Sequence, residues 1–205
     1  SRLFLRNHQT GEEVTYQAFF SNAERIAQVL VETGIEPGDR VAVQAPKTQA
    51  MLEVYVATVL AGAVFLPLNT AYTATEVAYF LTDAEPRVFV CDPMRTDELS
   101  PVAKDAGVAE VLTISADEKG SLVERRDAAP AGFTAVTRGP DDLAAILYTS
   151  GTTGRSKGAM LTHRALASNA QTLKDYWRFS TDDVLIHALP IFHTHGLFVA
   201  TNITL

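Results

Sequence analysis

Short continuous apolar runs alternate with stretches of helical apolar period along this chain, and that alternation is the strongest constraint on its fold. Phe19, Ala23, Ile26, Ala27, Leu30 and Val31 share one helical face, and Gly34 stands where a helix closes with a left-handed residue. Val41-Ala42-Val43 follows as a strand after the turn Pro37-Gly38-Asp39. Met51 to Leu60 is apolar nearly all round, as for a buried helix. Ala63 to Leu68 gives a second strand, with Pro67 placing its end at an edge or bend. Thr75 with Glu76 starts a short helix through Leu81, and strands follow at Val88 to Val90 and Val111 to Ile114. Ser115 to Pro140 is polar and aperiodic and reads as a surface connection. Leu143 to Tyr148 is a continuous apolar run, as for a strand covered on both faces. Leu166, Ala170, Leu173 and Trp177 mark another helix, capped near Thr162 or His163, and Val184-Leu185-Ile186 reads as a last strand. Strands alternating with helices build βαβ units. The expected fold class is therefore α/β, a mostly parallel sheet flanked by helices.

The formal net charge is −7, which argues against nucleic acid or an anionic membrane as the main partner. An anionic ligand must then be held by local donors rather than by the overall field. A single cysteine, Cys91, allows no internal disulfide and points to a reducing, cytoplasmic compartment. It ends an apolar run and reads as a small buried hydrophobe. No run approaches the ~20 apolar residues of a membrane span. The apolar stretch Phe198 to Leu205 carries no stop signal, so the chain reads as cut within an element, with that stretch exposed. No residue pattern points to an oligomeric state.

The sharpest chemical feature is Leu147-Tyr148-Thr149-Ser150-Gly151-Thr152-Thr153-Gly154-Arg155-Ser156-Lys157-Gly158. A buried strand runs straight into glycines, hydroxyls and two cations. Glycines let successive backbone N–H groups converge, hydroxyls add rotatable donors, and Lys157 and Arg155 add charge. Together they describe a polyphosphate cradle. It is not a Walker A loop: counting from Gly151, the second glycine position holds Ser156 and the hydroxyl position after Lys157 holds Gly158.

This segment resembles the signature phosphate loop of the adenylate-forming superfamily of acyl-CoA synthetases, luciferases and peptide-synthetase adenylation domains. A second stretch, Leu189-Pro190-Ile191-Phe192-His193-Thr194-His195-Gly196-Leu197, is similar to another motif of that family. The stretches His193 to Asn202, Leu66 to Tyr72 and Tyr79 to Pro86 look like those of malonyl-CoA synthetases. The resemblance implies that residues 1–205 are the N-terminal part of an AMP-binding (adenylation) domain, with the C-terminal domain absent from them. The implied reaction joins a carboxylic acid, malonate foremost, to CoA through an acyl-adenylate. ATP, Mg²⁺ and CoA would be the small molecules involved, and no nucleic acid.

The resemblance assigns Thr149, Ser150, Gly151, Thr152, Thr153, Gly154, Ser156, Lys157 and Gly158 to the ATP phosphates. Lys157 and His193 become the catalytic residues, His193, His195 and Gly196 the acid-site residues, and Thr149 the hydroxyl for the metal. Two alternatives stay open: a ligase for a medium-chain or aromatic acid, and a non-catalytic nucleotide-binding fragment. Tyr176 and Trp177 read as packed, the Arg125-Arg126-Asp127 cluster as a solvated face, and Asp182-Asp183 as neighbours on opposite sides of a strand.

Overall fold

The structure, a computed structural model, describes residues 2–8, 10–149 and 155–205. Near the start, β1 (Leu3–Arg6) and β2 (Glu13–Thr15) form a small antiparallel ribbon. The main sheet contains β3 (Arg40–Gln44), β4 (Val64–Pro67), β5 (Val88–Cys91), β6 (Glu110–Thr113), β7 (Leu143–Thr149) and β8 (Lys157–Thr162). Their order across the sheet is β6-β5-β3-β4-β7-β8. All neighbouring pairs are parallel except β7 with β8. The α/β class with a mostly parallel sheet is what the alternating periods predict. Pro67 ends β4 as expected, but β4 lies inside the sheet, between β3 and β7. Its missing N–H falls at the strand's last residue, where the ladder with β3 stops.

Helices cover both faces. On one, α1 (Tyr16–Glu32), α2 (Gln49–Leu60) and α5 (Ser121–Ala128) enclose a core with Phe19, Ile26, Leu30, Met51, Phe65 and Leu112. On the other, α3 (Ala74–Ala84) and α4 (Thr96–Asp105) pack Val77, Phe80, Leu81 and Leu99 against Leu66, Phe89 and Cys91. β3 and β5 alternate between these cores as the strand period requires: Val41 and Val43 face the first, Ala42 the second. α1 closes with Gly34 at φ 87°, as its position suggests.

Several expectations are corrected. α3 starts at Ala74, one residue earlier than Thr75, because Thr73 is its cap: Thr73 accepts from the Glu76 N–H and Glu76 accepts from the Thr73 N–H at 2.8 Å. Ser115 to Pro140 contains α5, and Arg126 is not solvated. It pairs at 2.9 Å with Glu53, which is fully buried in α2. Glu53 also accepts from Asn22 at 2.8 Å and Gln49 at 2.6 Å, so α1, α2 and α5 meet at one carboxylate. Val184 to Ile186 is not a strand: no ladder partner exists among the described residues, and Val184 and Ile186 stand exposed. Asp183 instead accepts from the Ser180 N–H at 2.7 Å, closing a turn. Tyr176 and Trp177, at the end of α6 (His163–Tyr176), are exposed rather than packed. At the far end, Phe198 is buried rather than exposed, as is Leu197 before it, while Leu205 is exposed as expected. Leu197 and Phe198 lie in a π-type helix over His195–Thr201 that continues into an α-helical turn at Asn202–Thr204.

Candidate functional site

β7 and β8 bring the two ends of the Gly/Ser/Thr-rich segment together. Thr149 is the last residue of β7 and Lys157 the first of β8, and they are direct partners across the ladder. Both are exposed, so the hydroxyl of one and the ammonium of the other are free to meet a ligand. Lys157 makes no ion pair among the described residues. Gly158 pairs with Tyr148; a side chain on Gly158 would come within 2.9 Å of Ile146 Cγ2 and 3.5 Å of the Tyr148 ring. Ser150, Gly151, Thr152, Thr153 and Gly154, all assigned to the phosphates from sequence, lie outside the described residues.

Helix α3 fixes this pair of strands from one side. Its capping box sets the first turn, and the helical period then turns Tyr79, Phe80 and Asp83 toward β7 and β8. Tyr79 Oη donates to the Ser156 carbonyl at 2.7 Å. Tyr148 Oη donates to the Asp83 carboxylate, and the Tyr148 ring lies 4.6 Å from that of Phe80. Burial, and then the Asp83 carboxylate, push the Tyr148 phenol above its ordinary value, so it stays a neutral donor. The Arg155 guanidinium sits over the Tyr79 ring, 5.7 Å from its centroid, a cation–π arrangement.

His193, His195 and Gly196 form a second group at the start of the π-helix. Both imidazoles belong to exposed residues, whereas Gly196 is buried. Any β-carbon at Gly196 would lie 2.0 Å from the Pro190 carbonyl oxygen, so the turn closes only with glycine there. The Leu197 N–H donates to the His193 carbonyl at 2.9 Å. Among the described residues no hydrogen bond, ion pair or ring contact joins this group to the β7–β8 group.

Between the carboxyl ends of the strands lies a cavity of about 380 Å³, lined among others by Gln44, Lys47, Thr70, Asp92, Arg95 and Phe192. Gln44 ends β3, Asp92 follows β5 and Thr70 lies just past β4, the end of a parallel sheet where ligands gather. Lys47 Nζ donates to the carbonyls of His187 and Leu189 at 2.5 and 2.7 Å, and burial lowers its pKa. Arg95 donates to Gln44 Oε1 at 2.8 Å and pairs with Glu98. Two cations at its wall suit the cavity to an anionic group. Sequence reasoning missed it because its residues come from four separate segments: Thr70 and Phe192 lie in the family-like stretches, but Gln44, Lys47, Asp92 and Arg95 belong to no local motif. Among the described residues no group of His, Cys, Asp and Glu could hold a metal ion, and no helix is long and apolar enough to cross a membrane.

The mostly parallel sheet thus sets a hydroxyl and a lysine opposite each other at the two ends of a glycine-rich stretch. The chain belongs to the AMP-binding enzyme family, whose model matches residues 2–205. It is similar to the ATP-bound MatB of Rhodopseudomonas palustris, at 55% identity and a TM-score of 0.96, over 99% of this chain and 40% of that one. It is 33% identical to the oxalate–CoA ligase of Arabidopsis thaliana over 90% of this chain and 37% of that protein. It is 28% identical to the mitochondrial malonate–CoA ligase ACSF3 of Xenopus laevis over 89% of this chain and 32% of that protein. The chain thus spans about two fifths or less of the length of these relatives.

Proposed function

We propose that this chain is the N-terminal part of an adenylation domain and carries the phosphate-binding half of an ATP-dependent acid:CoA ligase. The acid is malonate and the products are malonyl-CoA, AMP and pyrophosphate. The observation that carries the reading is the pairing of Thr149 with Lys157 across β7 and β8. Ladder hydrogen bonds set the backbone of both before any nucleotide arrives. Attack of a carboxylate on the α-phosphate of ATP brings two anions together and sends pyrophosphate out with added charge. Lys157 offers a fixed positive charge where that charge develops, without reorganisation at the moment of reaction. Ser150, Gly151, Thr152, Thr153, Gly154, Ser156 and Gly158 would supply the N–H and hydroxyl donors around it. Thr149 offers one hydroxyl to Mg²⁺. Among the described residues no carboxylate cluster stands beside it, so the donor set fits a metal held chiefly by the nucleotide phosphates. When bound, Mg²⁺ supplies further neutralisation of the phosphate oxygens.

His193 would face the acid, with His195 and Gly196 shaping its turn. The malonate reading is supported by the likeness of His193 to Asn202 to malonyl-CoA synthetases and by the malonate–CoA ligase among the relatives. The test is pyrophosphate exchange by the whole ligase with malonate, acetate and octanoate. Malonate should give the highest kcat/KM. Lys157→Ala should lower the exchange rate at saturating ATP by ~10²–10³, the usual loss on removing one charge-stabilising donor, without changing the circular dichroism spectrum. An unchanged rate removes Lys157 from the chemistry; a preference for octanoate removes malonate.

A further inference from the structure

Behind the exposed His193 turn, hydrogen bonds tie Leu189, Gly196 and Thr201 of the sequence motifs to two residues outside them, Lys47 and His187. The series begins at the end of β3, where Lys47 ties the backbone of His187 and Leu189. The His187 ring continues it: Nε2 lies 3.1 Å from Thr201 Oγ1. Thr201 is buried, and its hydroxyl lies 3.1 Å from the Gly196 carbonyl, to which it donates. A threonine hydroxyl has one proton. With that proton on the Gly196 carbonyl, Oγ1 accepts from His187, which requires the Nε2–H tautomer of His187. Consistent with this, His187 Nδ1 is buried with no hydrogen-bond partner among the described residues, as suits a bare nitrogen rather than an N–H. Burial, and then the Lys47 charge, lower the His187 pKa against a smaller opposing pull from the backbone of His187, Gly196 and Leu189, and the net lowering keeps the ring neutral.

We propose that His187 is a positioning residue: through Thr201 it holds the Gly196 carbonyl and so fixes the turn that presents His193. The Gly196 carbonyl is the natural point of control. The Pro190 carbonyl closes on Gly196 from the other side, and the next amide, Leu197, bonds back to His193. Displacing Gly196 therefore moves His193. The link to catalysis rests on the reading of His193 as an acid-site residue; the link to the turn does not.

The test uses the whole ligase and four variants of it. Long-range ¹H–¹⁵N spectra should show His187 protonated at Nε2 and bare at Nδ1. His187→Leu and the isosteric Thr201→Val should speed amide exchange at Leu197 by about fivefold to tenfold, the value of one hydrogen bond. His187→Gln, which keeps a donor at the same reach, and Thr201→Ser should restore the parent rate. The same two losses and two rescues should appear in the malonate-induced shift of the His193 ring signals. An Nδ1–H tautomer, or Leu197 exchange equal in all five proteins, overturns the proposal. Malonate without effect on His193 in the parent chain counts against the acid-site reading alone, since tautomer and exchange decide the role of His187 independently.

Discussion

Replacing Arg126 by Met tests whether the carboxylate shared by α1, α2 and α5 is a structural keystone. Glu53 is fully buried, and the Arg126 side chain is 11% exposed. Asn22 and Gln49 both donate to Oε1, so among the described residues Oε2 depends on Arg126 alone. Met fills much the same volume but leaves that oxygen bare, and removing one partner of a buried pair costs about 3–5 kcal/mol. Glu53 has an escape, because burial already holds its carboxyl above the ordinary range. In the variant it can take up a proton, which places the expected loss near the lower end, about 3 kcal/mol at pH 7. The sign with pH follows. A carboxyl whose folded pKa is raised binds protons more tightly when folded, so its destabilising effect grows as pH rises through that raised value. The deficit of the variant should therefore shrink as pH falls toward the unfolded carboxyl value of about 4.3. Urea unfolding followed by far-ultraviolet circular dichroism at pH 7 and pH 5 reads both effects. Glu53→Gln should cost less than Arg126→Met, and the double variant should recover about 2 kcal/mol of coupling. A loss below about 1 kcal/mol at pH 7, the range of exposed pairs, would refute the view that this pair is desolvated.

Gly196→Ala should lower stability by about 2–3 kcal/mol through overpacking against the Pro190 carbonyl, seen as a fall in Tm of roughly 5–10 °C. Burial lowers the pKa of both His163 and His187, with help from Arg138 at the first and Lys47 at the second. Depressed histidines favour folding while neutral, so their contribution is present above about pH 6.5 and lost as pH falls through the folded values; urea midpoints of His163→Gln and His187→Gln should vary less between pH 7 and pH 5 than those of the parent. Burial pushes the Cys91 thiol up to about 11, so iodoacetamide at pH 8 should leave the folded chain unlabelled over hours and modify it at once in urea.

Where an apolar pattern is satisfied by burial, the fold could be read from the residues. The strands at Val41, Val88 and Val111 and the helix faces of α1 and α2 were legible for that reason. β8 was not, because its apolar run Ala159-Met160-Leu161 is short and follows the glycine-rich stretch directly, and its residues are exposed or half-buried at a sheet edge. Only pairing with β7 makes them a strand. Val184 to Ile186 shows the reverse: a strong apolar run without a ladder partner among the described residues. α5 escaped notice because it buries only Leu122 and Val123, and its most consequential residue is a cation whose partner lies 73 positions away in sequence. The candidate site divides in the same way. Lys157, Thr149, His193 and Gly196 sit in local motifs, whereas Tyr79, Asp83, Lys47 and His187 reach it through tertiary contacts that no spacing encodes.

The antiparallel edge formed by β8 also bears on how such a segment can vary. Because Lys157 is held by its ladder with Thr149, residues can be gained or lost between these two positions without moving the lysine's backbone. Within β8 the tolerance vanishes. A one-residue insertion after Gly158 would turn Ala159 to Thr162 to the opposite face of the sheet, and a two-residue slip would carry Lys157 about 7 Å along it. A change of length before Lys157 therefore costs only the donors lost from the stretch itself, whereas one inside β8 also displaces the lysine that those donors surround.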